Sequence, residues 1–313
     1  MKTILELYDT GKDLLRGHSE GAIEARVLLC KSLAMEAEKF YAEGDTKVTR
    51  GEERRYLRLV AKRLSGVPLS YLTNEKEFWS LRFDVCRGVL IPRPETELIV
   101  EKVVELASSG AKTKSEESGG IQSKKSVKSA NRKKTGTSKI KNTLIADIGT
   151  GSGNIAIALA EELPAAQIVA TDVSKTALKV ARMNARKLGA SHVIFPQGSL
   201  FAPLDRFKLS GRCDFIVSNP PYVSQDEWET LQPEVRGFEP KRALVPGKTG
   251  LEFIRKLVKG APSYLKSGGY LVFEIGFDQK EDVLCLLNTS NDWKNVQCFD
   301  DLSSIPRAIV AKM

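Results

Sequence analysis

The stretch Thr143-Leu144-Ile145-Ala146-Asp147-Ile148-Gly149-Thr150-Gly151-Ser152-Gly153 decides the architecture. Its first six residues form the kind of apolar run a strand needs when both faces of its sheet are covered. Alternating glycines follow, and then Ile155, Ala158, Leu159 and Leu163 recur at helical spacing. Strand, glycine turn and helix in that order open a parallel α/β unit. Further on, strands are expected at 167–171, 192–195, 214–217 and 269–273, with two more β runs near Val296 and Ile309. A helix capped by Ser174 and ending near Gly189 lies between the second and third, and another spans about 250–265. The fold class predicted is α/β, with a doubly wound, mostly parallel, seven-stranded sheet.

Upstream, residues 1–74 carry apolar side chains at helical spacing, interrupted at Gly44-Asp45 and Gly66-Val67-Pro68, which predicts a small helical bundle. Residues 75–91 change to aromatic and β-branched types and predict a connecting β-hairpin that turns near Arg87-Gly88. From residue 92 to 313 runs the main domain. Its first helix has Pro94 at the start and acidic residues in its opening turn, and runs to about Ala107. Residues 109–143 then lose all periodicity. With seven Ser, nine Lys and no aromatic residue, this segment predicts a disordered basic insertion.

That insertion explains the charge. Of the formal +9, residues 109–143 carry +8, so the remainder is near neutral and offers no general nucleic-acid surface. The insertion could serve as a weak tether to RNA or ribosome, but a solvated linker is the preferred reading. Five dispersed cysteines without a C-x-x-C pair argue against a disulfide framework or zinc site and fit a reducing, cytoplasmic setting. His18 and His192 form no metal motif, and no nucleophile signature accompanies them. No stretch has membrane-spanning length, so no membrane partner is expected.

A glycine turn at a helix start lets backbone approach a ligand closely. The spacing here is G-x-G-x-G after the strand acid Asp147, neither the dinucleotide G-x-G-x-x-G nor a P-loop. The pattern resembles S-adenosylmethionine (SAM) methyltransferases, with Asp172 at the next strand end placed for ribose hydroxyls. The fourth strand ends in Asn219-Pro220-Pro221-Tyr222. Two prolines make this turn stiff, and its Asn219 amide oxygen and Pro220 carbonyl suit a planar NH2 group, with Tyr222 available to pack on a flat acceptor. No general base is required.

Together these motifs resemble amino-group N-methyltransferases. Gly66-Val67-Pro68-Leu69-Ser70-Tyr71, Leu90-Ile91-Pro92-Arg93-Pro94-Glu95-Thr96-Glu97, Phe238-Glu239-Pro240 with Ala243-Leu244, and Phe273-Glu274-Ile275-Gly276 narrow the resemblance to the peptide chain release factor glutamine N5-methyltransferases, the PrmC/HemK family. It covers nearly the whole chain outside 109–143. The resemblance implies a class I SAM methyltransferase fold and methylation of the glutamine amide in the Gly-Gly-Gln loop of release factors, with the N-terminal bundle docking that protein. It also implies cofactor positions at Asp147, Gly149, Thr150, Gly151, Ser152, Gly153, Asp172 and Leu200, with Asn219 bordering the cofactor. Asn219, Pro220, Pro221 and Tyr222 become the substrate clamp, in which Asn219, Pro220 and Tyr222 are catalytic. Ser199 stands where the family commonly has an Asp beside the adenine. Two other readings stay open: an adenine-N6 methyltransferase of DNA or RNA, whose aromatic amine suits the same clamp, and a non-enzymatic SAM-binding scaffold.

Overall fold

The computed structural model describes residues 1–110 and 143–313; the insertion expected at 109–143 falls almost wholly outside them. Five helices come first: α1 (Ile4–Leu14), α2 (Gly21–Leu33), α3 (Lys39–Ala42), α4 (Arg50–Leu64) and α5 (Leu69–Thr73). α1 and α4 each start with a capping box, Thr3 with Glu6 and Thr49 with Glu52, which satisfies donors the first turn leaves open. Leu7, Leu28, Leu29, Phe40, Tyr56 and Val60 close a core of their own.

β1 (Glu75–Phe78) and β2 (Leu81–Asp84) form an antiparallel hairpin. Its turn is Trp79-Ser80, both at positive φ (55° and 59°), and not Arg87-Gly88 as expected. Such a turn ordinarily uses Asn or Gly. Here tertiary contacts hold it: the Trp79 backbone N–H donates to Glu97 (2.6 Å) and its indole N–H to Glu162 (2.8 Å).

The rest alternates: α6 (Glu97–Gly110), β3 (Leu144–Ile148), α7 (Asn154–Glu162), β4 (Gln167–Thr171), α8 (Lys175–Lys187), α9 (Ala202–Arg206), β5 (Cys213–Ser218), α10 (Gln225–Thr230), α11 (Pro233–Phe238), α12 (Glu252–Gly260), β6 (Leu265–Glu274), α13 (Lys280–Asn288), β7 (Lys294–Asp300) and β8 (Pro306–Lys312). The sheet order is β4-β3-β5-β6-β8-β7, with β4, β3, β5 and β6 parallel and β8 antiparallel to both β6 and β7. Along β3, Ile145 enters one core with α6, α7 and α8, while Leu144, Ala146 and Ile148 enter the other with α9, α12 and α13. Both faces are therefore covered, which is why the strand reads as continuously apolar.

Among the described residues six strands make the sheet, not the seven expected. Residues 192–195 pair with β4 only through isolated bridges, Val169 with Ile194 and Asp172 with Gln197. Pro196 lacks the N–H that a continuous ladder would need between those bridges. The chain runs from β3 to β4 on one side and returns to β5 on the other, so the order reverses between β3 and β5. Crevices at such a reversal, beyond the carboxyl ends of the strands, are where open α/β sheets bind ligands. Among the described residues no helix is long and apolar enough to cross a membrane.

Candidate active site

A cavity of about 420 Å³ opens at that reversal. The carboxyl end of β3 contributes Gly149, Thr150, Gly151 and Ser152; β4 leads into Asp172; the 198–200 loop adds Ser199 and Leu200; and β5 leads into Asn219 and Pro221. Val89, Leu90, Pro92 and Arg93 form a further wall. These last residues are fixed by Tyr71, whose hydroxyl donates to the Val89 carbonyl (2.6 Å), and by Glu239, which accepts from the Ile91 N–H (3.2 Å) and the Arg93 guanidinium (2.5 Å).

The glycine loop is shaped for close approach. Gly149 and Gly151 have φ of +80° and +56°, and a Cβ added to either would meet no protein atom within 4 Å. The N–H groups of Gly149 and Thr150 both donate to the Thr171 carbonyl at 2.9 Å, tying the loop to β4. Gly153 does something else. It does not line the cavity, and a Cβ there would lie 2.9 Å from Ile157 Cδ1 and 3.2 Å from Ala181 Cβ, so it permits α7 and α8 to approach.

Asp147 lies beneath the loop, fully buried and outside the cavity lining; the Thr150 hydroxyl and the Ala156 N–H approach its carboxylate, but neither oxygen completes a hydrogen bond. Burial pushes its carboxyl up to about 7; the nearby Asp172 charge acts in the same direction and Thr150 opposes it. Asp172 is better served: Oδ2 accepts from the Gly151 N–H (3.0 Å) and Oδ1 from the Ser174 N–H (2.8 Å). Burial still raises its pKa against those two donors. It thus joins the glycine loop to the start of α8 while lining the cavity. Leu200 lines it too, at a positive φ of 48°.

Asn219 reaches the cavity from the end of β5, and its Nδ2 donates to Thr96 Oγ1 (2.8 Å). Thr96 in turn donates to Glu274 Oε2 (2.6 Å), and the Tyr222 hydroxyl donates to Glu274 Oε1 (2.9 Å). Tyr222 is therefore not presented to a flat acceptor: it does not line the cavity, and its hydroxyl is committed to Glu274 at the end of β6. Pro220 is likewise buried behind the lining, and among the described residues no donor meets its carbonyl. The backbone of the turn is held by Gln279, which donates from Nε2 to the Tyr222 carbonyl (2.8 Å) and accepts the Gly276 N–H (3.0 Å). Gly250, at φ +79°, allows this; a Cβ there would stand 2.3 Å from the same carbonyl.

The glycine loop, Asp172 and Asn219, singled out in the sequence, meet at this one cavity; the sequence reading assigned no role to Thr96, Glu274, Arg93, Glu239 or Gln279. One signal was available: Glu274 ends the apolar run Leu271-Val272-Phe273, and a carboxylate closing a buried strand needs donors from elsewhere. Among the described residues, no group of three or more His, Cys, Asp or Glu could hold a metal ion.

Comparison with known proteins gives these residues a lineage. Residues 139–299 match the model of a methyltransferase domain, and residues 6–73 match that of the PrmC N-terminal domain. Release factor glutamine methyltransferase of Geobacter sulfurreducens is 37% identical over 284 residues, 90% of this chain and 87% of that protein. The Xylella fastidiosa (strain Temecula1) protein of the same name is 34% identical over 290 residues, 93% of this chain and 92% of its own. The one from Chlorobaculum tepidum is 36% identical over 292 residues, 93% and 90% of the two chains. A glycine-lined cavity facing a stiff amide-bearing turn, with this similarity running along both the helical and the α/β parts, makes the chain a methyltransferase that belongs to the release factor glutamine methyltransferase family.

Proposed function

We propose that the chain transfers the methyl group of S-adenosylmethionine to the side-chain amide nitrogen (N5) of the glutamine in the Gly-Gly-Gln loop of peptide chain release factors. The observation that carries this is the shared cavity, where the Asn219 amide stands on the same wall system as the open cradle at Gly149 and Gly151. The cradle fits the methyl donor on two counts: two glycines whose Cβ positions are vacant and a cavity within the usual range for such ligands. Gly149, Thr150, Gly151 and Ser152 would hold it from the β3 side, Asp172 would face its ribose hydroxyls, and Leu200 its base. When bound, it supplies an electrophilic methyl carbon on a sulfonium centre.

The chain's own residues solve the remaining problem. An amide nitrogen is a poor nucleophile because its lone pair is delocalised, and it gains positive charge as the C–N bond forms. Asn219 Oδ1, on the cavity wall, is an acceptor suited to one N–H bond of that group, and the Pro220 carbonyl behind it, which has no donor among the described residues, would take the other once the substrate enters. They fix its plane and stabilise the charge that develops, and a proton then leaves the nitrogen for water. Tyr222 and Gln279 keep the turn in place. Pro92 and Arg93 form a further wall of the cavity.

The test is a labelled-methyl assay with purified release factor and, separately, with DNA. Label is expected in the release factor glutamine. Label in DNA alone would overturn the assignment. Asn219→Ala is expected to reduce turnover far more than SAM affinity; equal losses would contradict the acceptor role.

A further inference from the structure

We propose that Thr96 and Glu274 are positioning residues that select which end of the Asn219 amide faces the cavity, an inference that rests on the acceptor role given to Asn219 above. The two ends of an Asn side chain, C=O and NH2, have nearly the same shape, and a half-turn about the last torsion exchanges them. Sterics alone cannot choose between them. A clamp for an NH2 group works only with the oxygen inward, because the other orientation sets NH2 against NH2.

Counting protons makes the choice. Glu274 is 1% exposed and Thr96 0%, so water cannot supply a missing donor or acceptor. The Glu274 carboxylate accepts from two hydroxyls, Thr96 at 2.6 Å and Tyr222 at 2.9 Å. Each hydroxyl has a single proton, and each spends it there. Thr96 Oγ1 then has only lone pairs to offer its other neighbour. Asn219, at 2.8 Å, must meet it with Nδ2, which leaves Oδ1 as the free end. The three residues come from the end of β6, the turn before α6 and the end of β5. Burial raises the Glu274 pKa; the Thr96 and Tyr222 hydroxyl donors and the positive charge of Arg307 oppose that effect and Glu95 adds to it, and the proton count above is that of the ionised carboxylate.

The reasoning makes Thr96 act through Asn219, which a double-mutant cycle reads directly. The assay is methyl transfer to a release factor, with SAM affinity followed by calorimetry and folding by thermal melting. Thr96→Val keeps the shape but cannot accept, and is expected to lower kcat about 100-fold while SAM affinity holds. Thr96→Ser keeps the hydroxyl and is expected to restore turnover to near the wild-type rate. In an Asn219→Ala background, Thr96→Val is expected to cost nothing further. If Thr96→Val slows that background by the same factor as it slows the wild type, its role is general packing and the inference fails. It fails equally if Thr96→Val turns over normally while Asn219→Ala is slow, or if Thr96→Ser is as slow as Asn219→Ala; the last result holds even if the Val variant does not fold. Normal turnover by Asn219→Ala would instead remove the acceptor role, and this inference with it.

Discussion

Asp147→Asn is expected to stabilise the cofactor-free protein at neutral and alkaline pH and to leave it little changed in acid. Asp147 is fully buried at the end of β3, and neither of its oxygens completes a hydrogen bond. Burial, aided by the charge of Asp172 and opposed by Thr150, raises its carboxyl from 3.8 to about 7. Between those two values the folded chain retains a proton that the unfolded chain has released. Stability therefore falls as pH rises through that window, and the full penalty is present above it. The interval corresponds to about 4 kcal/mol at ~1.36 kcal/mol per pH unit, an order-of-magnitude figure and a large part of the stability of an ordinary domain. An amide of the same shape has no charge to desolvate, so the variant escapes the penalty.

The assay is urea unfolding of both proteins from acid to mildly alkaline pH, without cofactor. Other titrating groups are common to both, so the difference in unfolding free energy isolates position 147. It should be near zero around pH 4 and grow to several kcal/mol by pH 8. A difference that does not change with pH would refute the reasoning, because it would mean that the carboxylate is already compensated. Adding S-adenosylmethionine supplies a second check. Asp147 lies outside the cavity lining, so the ligand should stabilise both proteins to a similar extent and leave the pH-dependent difference between them in place.

Gly151→Ala puts a Cβ into the open cradle at φ +56°; it should cost the fold about 1–2 kcal/mol but reduce SAM affinity more than tenfold by calorimetry. Gly153→Ala, crowded against Ile157 and Ala181 and away from the cavity, should do the reverse and lower the melting temperature with affinity largely kept. Arg63→Ala leaves Glu24, 6% exposed, with His18 (2.9 Å) as its remaining side-chain partner and removes the guanidinium that bridges it to Glu234 on α11; about 1–3 kcal/mol of stability should go, measured by urea unfolding. Deleting 110–141, which joins α6 to β3 at the amino end of that strand, should leave turnover on a free release factor nearly unchanged in the labelled-methyl assay.

What could be read from the sequence was local. The run from Thr143 to Gly153 announces strand, turn and helix because burial on both faces and alternating glycines are properties of adjacent residues. The Trp79-Ser80 turn could not be read that way: neither residue favours positive φ, and the Glu97 and Glu162 contacts that hold Trp79 come from 18 and 83 positions along the chain. The expected seventh strand failed at Pro196, a residue visible in the sequence, but the apolar pattern of 192–195 says nothing of whether the next N–H is needed. The site divides in the same way. Asn219-Pro220-Pro221-Tyr222 could be identified as a rigid turn with acceptors, and the natural expectation for its tyrosine was contact with the acceptor group. The fold turns that hydroxyl onto Glu274 instead, and Glu274 also takes the proton of Thr96, 178 positions away. The segments around Thr96 and Glu274 were recognisable as strings without a stated purpose, because their purpose is a relation among strand ends that exists only once β5, β6 and the start of α6 meet. Asn219 thus owes its identity to its own position in the sequence, but the direction in which it points is set by proton donors that no neighbouring residue supplies.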